Sequence, residues 1–148
     1  MFEIADVSDS EKLTEIAMQS KSYWGYSKEL LESWRNDLTV TVEMLRMDTV
    51  YTYCMNNEVV GFYVLNTPIE DSIELEMLFV LPTFIGKKIG KIMLQHAVQK
   101  AKIFKVNTMT LLADPNAVKF YESQGFYQTG KQESSIPNRF LPTMQKDL

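Results

Sequence analysis

Apolar and polar positions alternate along the chain in two periods, which predict short helices and strands. An apolar start over residues 2–7 is typical of a strand. Ser8 or Ser10 is then expected to cap a first helix, and Ser27 a second, because apolar side chains recur at helical spacing after each of them. Thr41 precedes a further short helical turn.

The middle of the chain changes to the period of two that is typical of strands. Two such runs, 49–55 and 58–66, flank Asn56-Asn57, a turn-prone pair that predicts a β-hairpin. Strand character resumes over residues 72–80.

The second half of the chain is expected to alternate helix and strand. The predicted elements are a helix over residues 86–104, a buried strand over 106–112, a helix over 115–124 that ends at Gly125, and a closing hairpin of 126–133 and 139–144. The strand, crossover helix and strand from 72 to 112 should be parallel and right-handed. Together the elements predict a single α/β (α+β) domain over residues 1–148 with seven strands.

Composition narrows the classes of function. Of the 148 residues, 45% are hydrophobic and 23% are charged, which is ordinary for a globular domain. The formal net charge of −4 disfavours nucleic acid as the main partner, because phosphate backbones are bound by positive surfaces. No apolar run of about 18 residues is present, so we expect a cytoplasmic protein that does not act in a membrane. His96 is the only histidine, and no metal site is expected.

One stretch, FIGKKIGKIML over residues 84–94, indicates an anion site. A turn that enters a helix offers free N–H groups to an anion, here a pyrophosphate. The spacing of Gly86 and Gly90 fits neither a Walker loop, which has four residues between its glycines, nor a dinucleotide fingerprint, which has three glycines. Close packing of the helix on the sheet is the alternative role of these two glycines.

Two segments resemble the GCN5-related N-acetyltransferase (GNAT) superfamily. In that family a strand ending in Val-x-Pro runs into Gln/Arg-x-x-Gly-x-Gly/Ala at the start of a helix, and here residues 80–82 (VLP) lead to residues 85–90 (IGKKIG). Downstream, residues 116–126 (NAVKFYESQGF) are similar to the family's Asn-x-x-Ala-x-x-Phe-Tyr-x-x-x-Gly-Phe segment. The resemblance is strong over residues 74–125 and loose at the termini.

The first segment departs from the family pattern at two positions. Ile85 stands at the usual Gln/Arg and Lys88 at the first pattern glycine, so only Gly90 matches. The site needs backbone N–H groups, which a lysine supplies if its φ is negative, and Gly86 can take up the close approach instead. The lysines of this stretch add either charge-assisted contacts to the phosphates or only a solvated helix start.

The resemblance implies a single-domain GNAT fold and its cofactor. The fold has a central mixed, mostly antiparallel sheet of about seven strands, with a parallel β-α-β core and helices on both faces. The reaction it implies moves an acetyl group from acetyl-CoA, without a metal, to a primary amine of a small molecule or peptide, on a monomer or homodimer. The implied cofactor-binding residues are Leu78, Phe79, Val80, Ile85, Gly86, Lys87, Lys88, Ile89, Gly90, Lys91 and Asn116.

Two carboxylates are candidates for the general base. Glu74 and Glu76 are two residues apart, so both point to one face of a regular strand while Ile73, Leu75 and Met77 point to the other. By its position before the Val-x-Pro, Glu74 resembles the base that some relatives use, directly or through water. Glu76 is the competing candidate, and a solvent-facing strand residue is the alternative role for either.

Tyr121 is the candidate general acid. It occupies the tyrosine of the Phe-Tyr pair, which lies near the CoA sulfur in the resembling family. A phenol stays protonated at neutral pH and can protonate the departing thiolate. The alternative is that its ring only packs a helix against the sheet.

The acceptor site is expected between the first two helices and the closing hairpin. Aromatic side chains there can pack an apolar substrate or hold an ammonium by cation–π contact, and core packing is their alternative role. They are Tyr23, Trp24, Tyr26 and Trp34. On the hairpin, Asn138-Arg139 can meet a substrate carboxylate.

Three classes of function stay open. The first is an amine N-acetyltransferase. The second is a catalytically weak CoA-binding or ligand-sensing module with the same fold, which Ile85 and Lys88 favour. The third is a generic α/β interaction domain, which would not bind CoA.

Overall fold

The computed structural model describes residues 1–134, 136 and 139–148. The strands are β1 Phe2–Ile4, β2 Thr49–Met55, β3 Glu58–Leu65, β4 Ser72–Val80, β5 Thr108–Leu112, β6 Tyr127–Glu133 and β7 Phe140–Asp147. The α-helices are α1 Ser10–Ser22, α2 Lys28–Ser33, α3 Arg35–Leu38, α4 Val42–Met47, α5 Ile89–Ile103 and α6 Val118–Ser123. None of these helices is long and apolar enough to span a bilayer.

The strands form one sheet in the order β1-β2-β3-β4-β5-β7-β6. β4 and β5 are parallel and joined through α5, whereas every other neighbouring pair is antiparallel. Asn56 and Asn57 have φ of 51° and 65°, the positive values that a type I′ hairpin turn requires. The expected mixed sheet, its parallel pair and its first hairpin are therefore confirmed.

Helices cover both faces of the sheet, and β3 is buried between them. Its side chains alternate, so Tyr63 and Leu65 pack in the cluster under α5, whereas Phe62 and Val64 pack in the cluster under α1. All four side chains are fully buried. Burial of each such side chain contributes about 1.5–3 kcal/mol, so the centre of the sheet is a rigid base for the strand beside it.

Of the two predicted helix caps, the one at α2 is confirmed and the one at α1 is not. Ser27 and Thr41 cap α2 and α4, each accepting a backbone N–H of the first turn, at 3.1 and 3.0 Å. Ser10 is the first residue of α1 rather than its cap, and its hydroxyl donates to the Val40 C=O. Ser8 lies in a 3-10 turn that leads directly into α1, which removes the need for a serine cap.

Four elements in the second half differ from the prediction by two residues or more, and one of them is β7, which continues to Asp147 rather than to residue 144. α5 begins at Ile89 because Gly86 and Lys88, with φ of 88° and 65°, are not helical. β5 begins at Thr108, two residues later than predicted. The helix predicted over residues 115–124 divides into a 3-10 turn and α6.

A β-bulge in β4 breaks the predicted alternation. Val64 pairs with Met77, but the next residue of β3 pairs with Leu75, so Glu76 is an extra residue in the ladder. Met77 therefore packs under α1, whereas Leu75 packs under α5. The prediction of one regular strand, with Leu75 and Met77 on one face and Glu74 and Glu76 on the other, was wrong.

Candidate active site

The parallel strands β4 and β5 separate beyond their first paired residues. Pairing runs from Ser72 opposite Thr108 to Glu74 opposite Thr110, although β4 continues to Val80. A cleft of about 490 Å³ opens between the separated ends. Its volume is in the range of small-molecule sites.

Backbone donors of β4 face into this cleft. The Leu81 N–H donates to the Val60 C=O at 2.8 Å. In an antiparallel pair only every second residue hydrogen-bonds to the neighbouring strand, so Phe79 is the next residue of β4 that bonds to β3. The N–H groups of Leu78 and Val80 therefore point away from β3 and toward the cleft. Because buried N–H groups need partners, a ligand in the cleft can pair with them.

The turn before α5 presents a second row of backbone donors. Among the described residues, no acceptor is found for the N–H groups of residues 86–91, and the first helical bond runs from Ile92 N–H to the Lys88 C=O at 3.1 Å. These free donors are consecutive and lie at the positive end of a helix dipole. That combination is suited to an anion.

Two residues of this turn have left-handed backbones. Gly86 has φ of 88°, and Lys88 has φ of 65° and ψ of 11°. The condition set for Lys88, a negative φ, is therefore not met, although its N–H still belongs to the row of free donors. The lysine holds a conformation that strains a side chain by about 1–2 kcal/mol. Packing does not require the second glycine, since a Cβ at Gly90 would lie 3.5 Å from the Phe120 ring, an ordinary contact.

Most of the predicted cofactor residues lie along the cleft. They are Leu78, Phe79, Val80, Ile85, Gly86, Lys88, Gly90, Lys91 and Asn116. Ile89 is instead buried in the core, and Lys87 places its ammonium 5.2 Å from the centre of the Phe84 ring. The backbone N–H groups of both residues still belong to the row of free donors.

The two candidate bases differ in position. Glu76, the bulge residue, lines the cleft and accepts a hydrogen bond from Asn66 Nδ2 at 3.0 Å. Both carboxylates are exposed, but Glu74 lies outside the cleft lining. Partial desolvation, and next the charge of Glu76, raise the pKa of the Glu74 carboxyl above its ordinary value.

Tyr121 lines the cleft with its ring packed edge-on against Phe120 and Phe126. In the described part of the chain its hydroxyl has no hydrogen-bond partner, whereas every buried polar side-chain atom has one. The hydroxyl is therefore not a buried atom, and it opens to the cleft that its ring lines. Burial, and next the charge of Asp114, raise the pKa of Tyr121. The phenol is therefore protonated at neutral pH.

A hydrogen-bonded cluster of charged and polar side chains borders the cleft. It consists of Lys21, Tyr26, Asp114, Asn116 and Arg139, and we call it the Asp114 cluster. The Asp114 carboxylate accepts hydrogen bonds from Lys21 Nζ at 2.5 Å, from Tyr26 OH at 3.0 Å and from the Asn116 backbone N–H at 2.9 Å. Arg139 donates to the Tyr26 hydroxyl and lies 3.6 Å from Asp114 Oδ2.

Protonation states in the Asp114 cluster follow from these contacts. Burial opposes the ionisation of Asp114, but the hydrogen bond and charge of Lys21 hold the pKa of this carboxyl below its usual range. Desolvation, and next the charge of Asp114, raise the pKa of Tyr26 to about 12. Tyr26 therefore stays protonated and acts as a donor to the carboxylate.

The predicted acceptor residues are divided among the cleft, the Asp114 cluster and the core, and Tyr23 is 50% exposed outside the cleft lining. Trp24 lines the cleft, is 41% exposed and packs edge-on against Tyr23, with ring centres 5.0 Å apart. Tyr26 and Arg139 belong to the Asp114 cluster, whereas Trp34 is buried in the core under α1. The predicted contact from Asn138 lies outside the described residues.

Lys21 and Asp114 were not singled out from the sequence. The only local signal is that Asp114 precedes Pro115, an arrangement typical of a helix cap, and its carboxylate does cap the 3-10 turn that follows. Lys21 has no such signal, because its role depends on a residue far along the chain.

Comparison with known proteins identifies the family. A family model described as an acetyltransferase (GNAT) domain matches residues 14–148. The chain belongs to the GNAT acetyltransferase family.

Two curated relatives of this GNAT protein are named uncharacterized N-acetyltransferase ycf52. The one from Gracilaria tenuistipitata var. liui is 38% identical over 45 residues, or 30% of this chain and 25% of the relative. The one from Pyropia yezoensis is 28% identical over 71 residues, or 48% of this chain and 41% of the relative. The match thus spans less than half the length of either relative.

A solved structure shows the same fold over its whole length. The PaiA N-acetyltransferase from Thermoplasma acidophilum, in complex with coenzyme A, has a TM-score of 0.81 to this GNAT chain. The superposition covers 100% of this chain and 98% of that one, at 24% sequence identity.

Proposed function

We propose that this GNAT protein transfers an acetyl group from acetyl-CoA to a primary amine of a small molecule or peptide. The observation that carries the proposal is the presence of two rows of free backbone donors along one cleft, over residues 86–91 and at Leu78 and Val80. The first row suits the CoA pyrophosphate, because successive N–H groups and a helix dipole both favour an anion. The second suits the amides of the pantetheine arm and the thioester oxygen.

In the proposed reaction the neutral amine attacks the thioester carbonyl carbon in a ternary complex. A C–N bond forms, the C–S bond breaks, and the electron pair leaves on the CoA sulfur. We assign removal of the amine proton to Glu76, because it lines the cleft, with Glu74 as the competing base because its raised pKa lies closer to neutral pH. Tyr121 is assigned as the donor of a proton to the thiolate, because its free hydroxyl opens to the same cleft.

The alternative is a catalytically weak CoA-binding or ligand-sensing module, which the loss of pattern residues at Ile85 and Lys88 favours. The test measures thiol release from acetyl-CoA with a panel of primary amines, together with calorimetric titration by CoA. Amine-dependent thiol release supports the enzyme. CoA binding without amine-dependent release supports the alternative, and absence of CoA binding refutes both.

A further inference from the structure

The Asp114 cluster holds more positive than negative charge. Lys21 and Arg139 are cations, and within the described part of the chain Asp114 supplies the one carboxylate in salt-bridge range of either. The side chains of Lys21, Arg139 and Asp114 are 17%, 19% and 8% exposed, so the surplus charge is held largely out of water. An unneutralised charge in such a place is unfavourable unless an anion joins it.

Asp114 has no acceptor capacity left for Arg139. Its Oδ1 accepts the backbone N–H and the side-chain Nδ2 of Asn116 at 2.9 and 3.0 Å. Its Oδ2 accepts Lys21 at 2.5 Å and Tyr26 at 3.0 Å. Arg139 Nη2 stays 3.6 Å from Oδ2 and donates to the Tyr26 hydroxyl instead.

The guanidinium of Arg139 is fixed in position but largely unused as a donor. It lies over the rings of Tyr26 and Trp34, 5.0 and 5.4 Å from their centres. An arginine has five side-chain N–H donors in a planar fork, and in the described structure the guanidinium of Arg139 makes a hydrogen bond through Nη2 alone. A fixed fork with free donors matches a carboxylate, which it can bind through two parallel hydrogen bonds.

We propose that the acceptor is an amine that carries a carboxylate, such as an amino acid or a peptide with a free C-terminus, and that Arg139 binds this carboxylate. The inference rests on the proposed acetyltransferase function. Lys21 and Asp114 bring the cationic cluster to the border of the cleft, and the carboxylate of Glu76 lines the same cleft. A zwitterion has the complementary pair of charges, with its ammonium drawn to Glu76 and its carboxylate to Arg139.

The test compares acceptors that share an amine and differ in the carboxylate. Each member of a panel of amino acids and C-terminally free dipeptides is assayed against its own carboxamide. The wild-type protein is expected to prefer the acid form. Arg139→Gln is expected to lower kcat/KM for the acid forms about 10- to 100-fold and to change it little for the carboxamides. Arg139→Lys should restore part of the preference, because it keeps the charge but not the fork.

Lys131→Gln is the matched control. Lys131 is a cation of the same hairpin and lies 4.5 Å from the centre of the Phe140 ring, outside the Asp114 cluster. Its replacement should leave the preference for the acid form unchanged. A change as large as that of Arg139→Gln would attribute the preference to the general charge of the hairpin and would overturn the proposal.

The remaining outcomes separate this inference from the function on which it rests. Amine acetylation with equal or greater use of the carboxamides overturns the inference and leaves the acetyltransferase intact. An equal loss for both members of each pair in Arg139→Gln, with a lower Tm, assigns Arg139 a structural role and also overturns it. Weaker CoA binding by Arg139→Gln would show that Arg139 binds a phosphate of the cofactor rather than a carboxylate of the acceptor, which also overturns the inference. If no amine is acetylated, the proposed function fails, and calorimetric titration of the CoA-loaded protein with the same pairs still decides whether a carboxylate is recognised.

Discussion

Replacing Lys88 by glycine is expected to stabilise the protein. At φ of 65° and ψ of 11°, a side chain costs about 1–2 kcal/mol that glycine does not. Glycine also increases the freedom of the unfolded chain, which offsets about 0.4–1 kcal/mol of that gain. The free energy of unfolding should therefore rise by about 0.5–1 kcal/mol, and Tm by about 2–4 °C.

The same substitution is expected to weaken CoA binding. Lys88 lines the cleft beside the free N–H groups of residues 86–91. A charge-assisted contact from its ammonium to a phosphate contributes about 1.5–3 kcal/mol, so its removal should lower the affinity for CoA about 10- to 100-fold. Stability and affinity thus change in opposite directions, which a simple loss of folding would not produce.

Two other lysines provide matched controls. Lys105 has φ of 59° just after α5 and lies outside the cleft lining, so Lys105→Gly should raise Tm by a similar amount and leave CoA affinity unchanged. Lys87 is in the same turn as Lys88 but lacks a positive φ, so Lys87→Gly should lower Tm. Thermal unfolding and calorimetric titration with CoA measure both effects. A Lys88→Gly protein that melts below the wild type would refute the strain at Lys88, and unchanged CoA affinity would refute the phosphate contact.

Four further outcomes are expected. Tyr121→Phe keeps the ring and should lower kcat about 10- to 1,000-fold with CoA affinity nearly unchanged. A wild-type kcat, measured where chemistry limits the rate, would show that another group protonates the CoA thiolate. Glu76→Gln should reduce turnover at neutral pH about 100-fold or more, with partial recovery at higher pH, and a larger effect of Glu74→Gln would make that residue the base. Trp24→Ala should raise the KM of the acceptor more than that of acetyl-CoA, whereas a lower Tm with unchanged acceptor KM would assign Trp24 to packing. Burial, and next a neighbouring lysine, lower the pKa of His96 in the folded protein. The contribution of neutral His96 to the free energy of unfolding is therefore complete above the unfolded pKa of about 6.5 and is lost as the pH falls through the folded pKa. Wild-type Tm should therefore drop more steeply below about pH 6.5 than the Tm of His96→Gln, and parallel curves would contradict this.

The parts of the fold that follow from the sequence have local causes. The Asn56-Asn57 pair predicts its hairpin because asparagine tolerates the positive φ that both positions adopt. Ser27 predicts the start of α2 because the residues that form the cap are close neighbours. The turn with free N–H groups before α5 was also predictable, since a glycine-containing turn and a helix start are both visible in the sequence.

The parts that could not be predicted depend on distant residues. The bulge at Glu76 is set by the register of β4 against β3, which the pattern of β4 alone does not contain. Lys21 and Asp114 are 93 positions apart, and Tyr26 and Arg139 are 113 apart, so nothing near any of them announces the Asp114 cluster. A single lysine or aspartate is also too common to indicate a site without its partner.

Asp114 connects Lys21 and Tyr26 with Tyr121. It fixes Lys21 and Tyr26 through hydrogen bonds, and its charge, after burial, raises the pKa of Tyr121. Asn116 supports this arrangement, since its Nδ2 donates to Asp114 at 3.0 Å and to the Tyr26 hydroxyl at 3.2 Å. Both amide donors of Asn116 are thereby engaged, so its side chain has only the Oδ1 acceptor to offer a cofactor. The asparagine that begins the family-like segment therefore orients Asp114, and this one carboxylate fixes Lys21 and Tyr26 while its charge adds to the burial that raises the pKa of Tyr121.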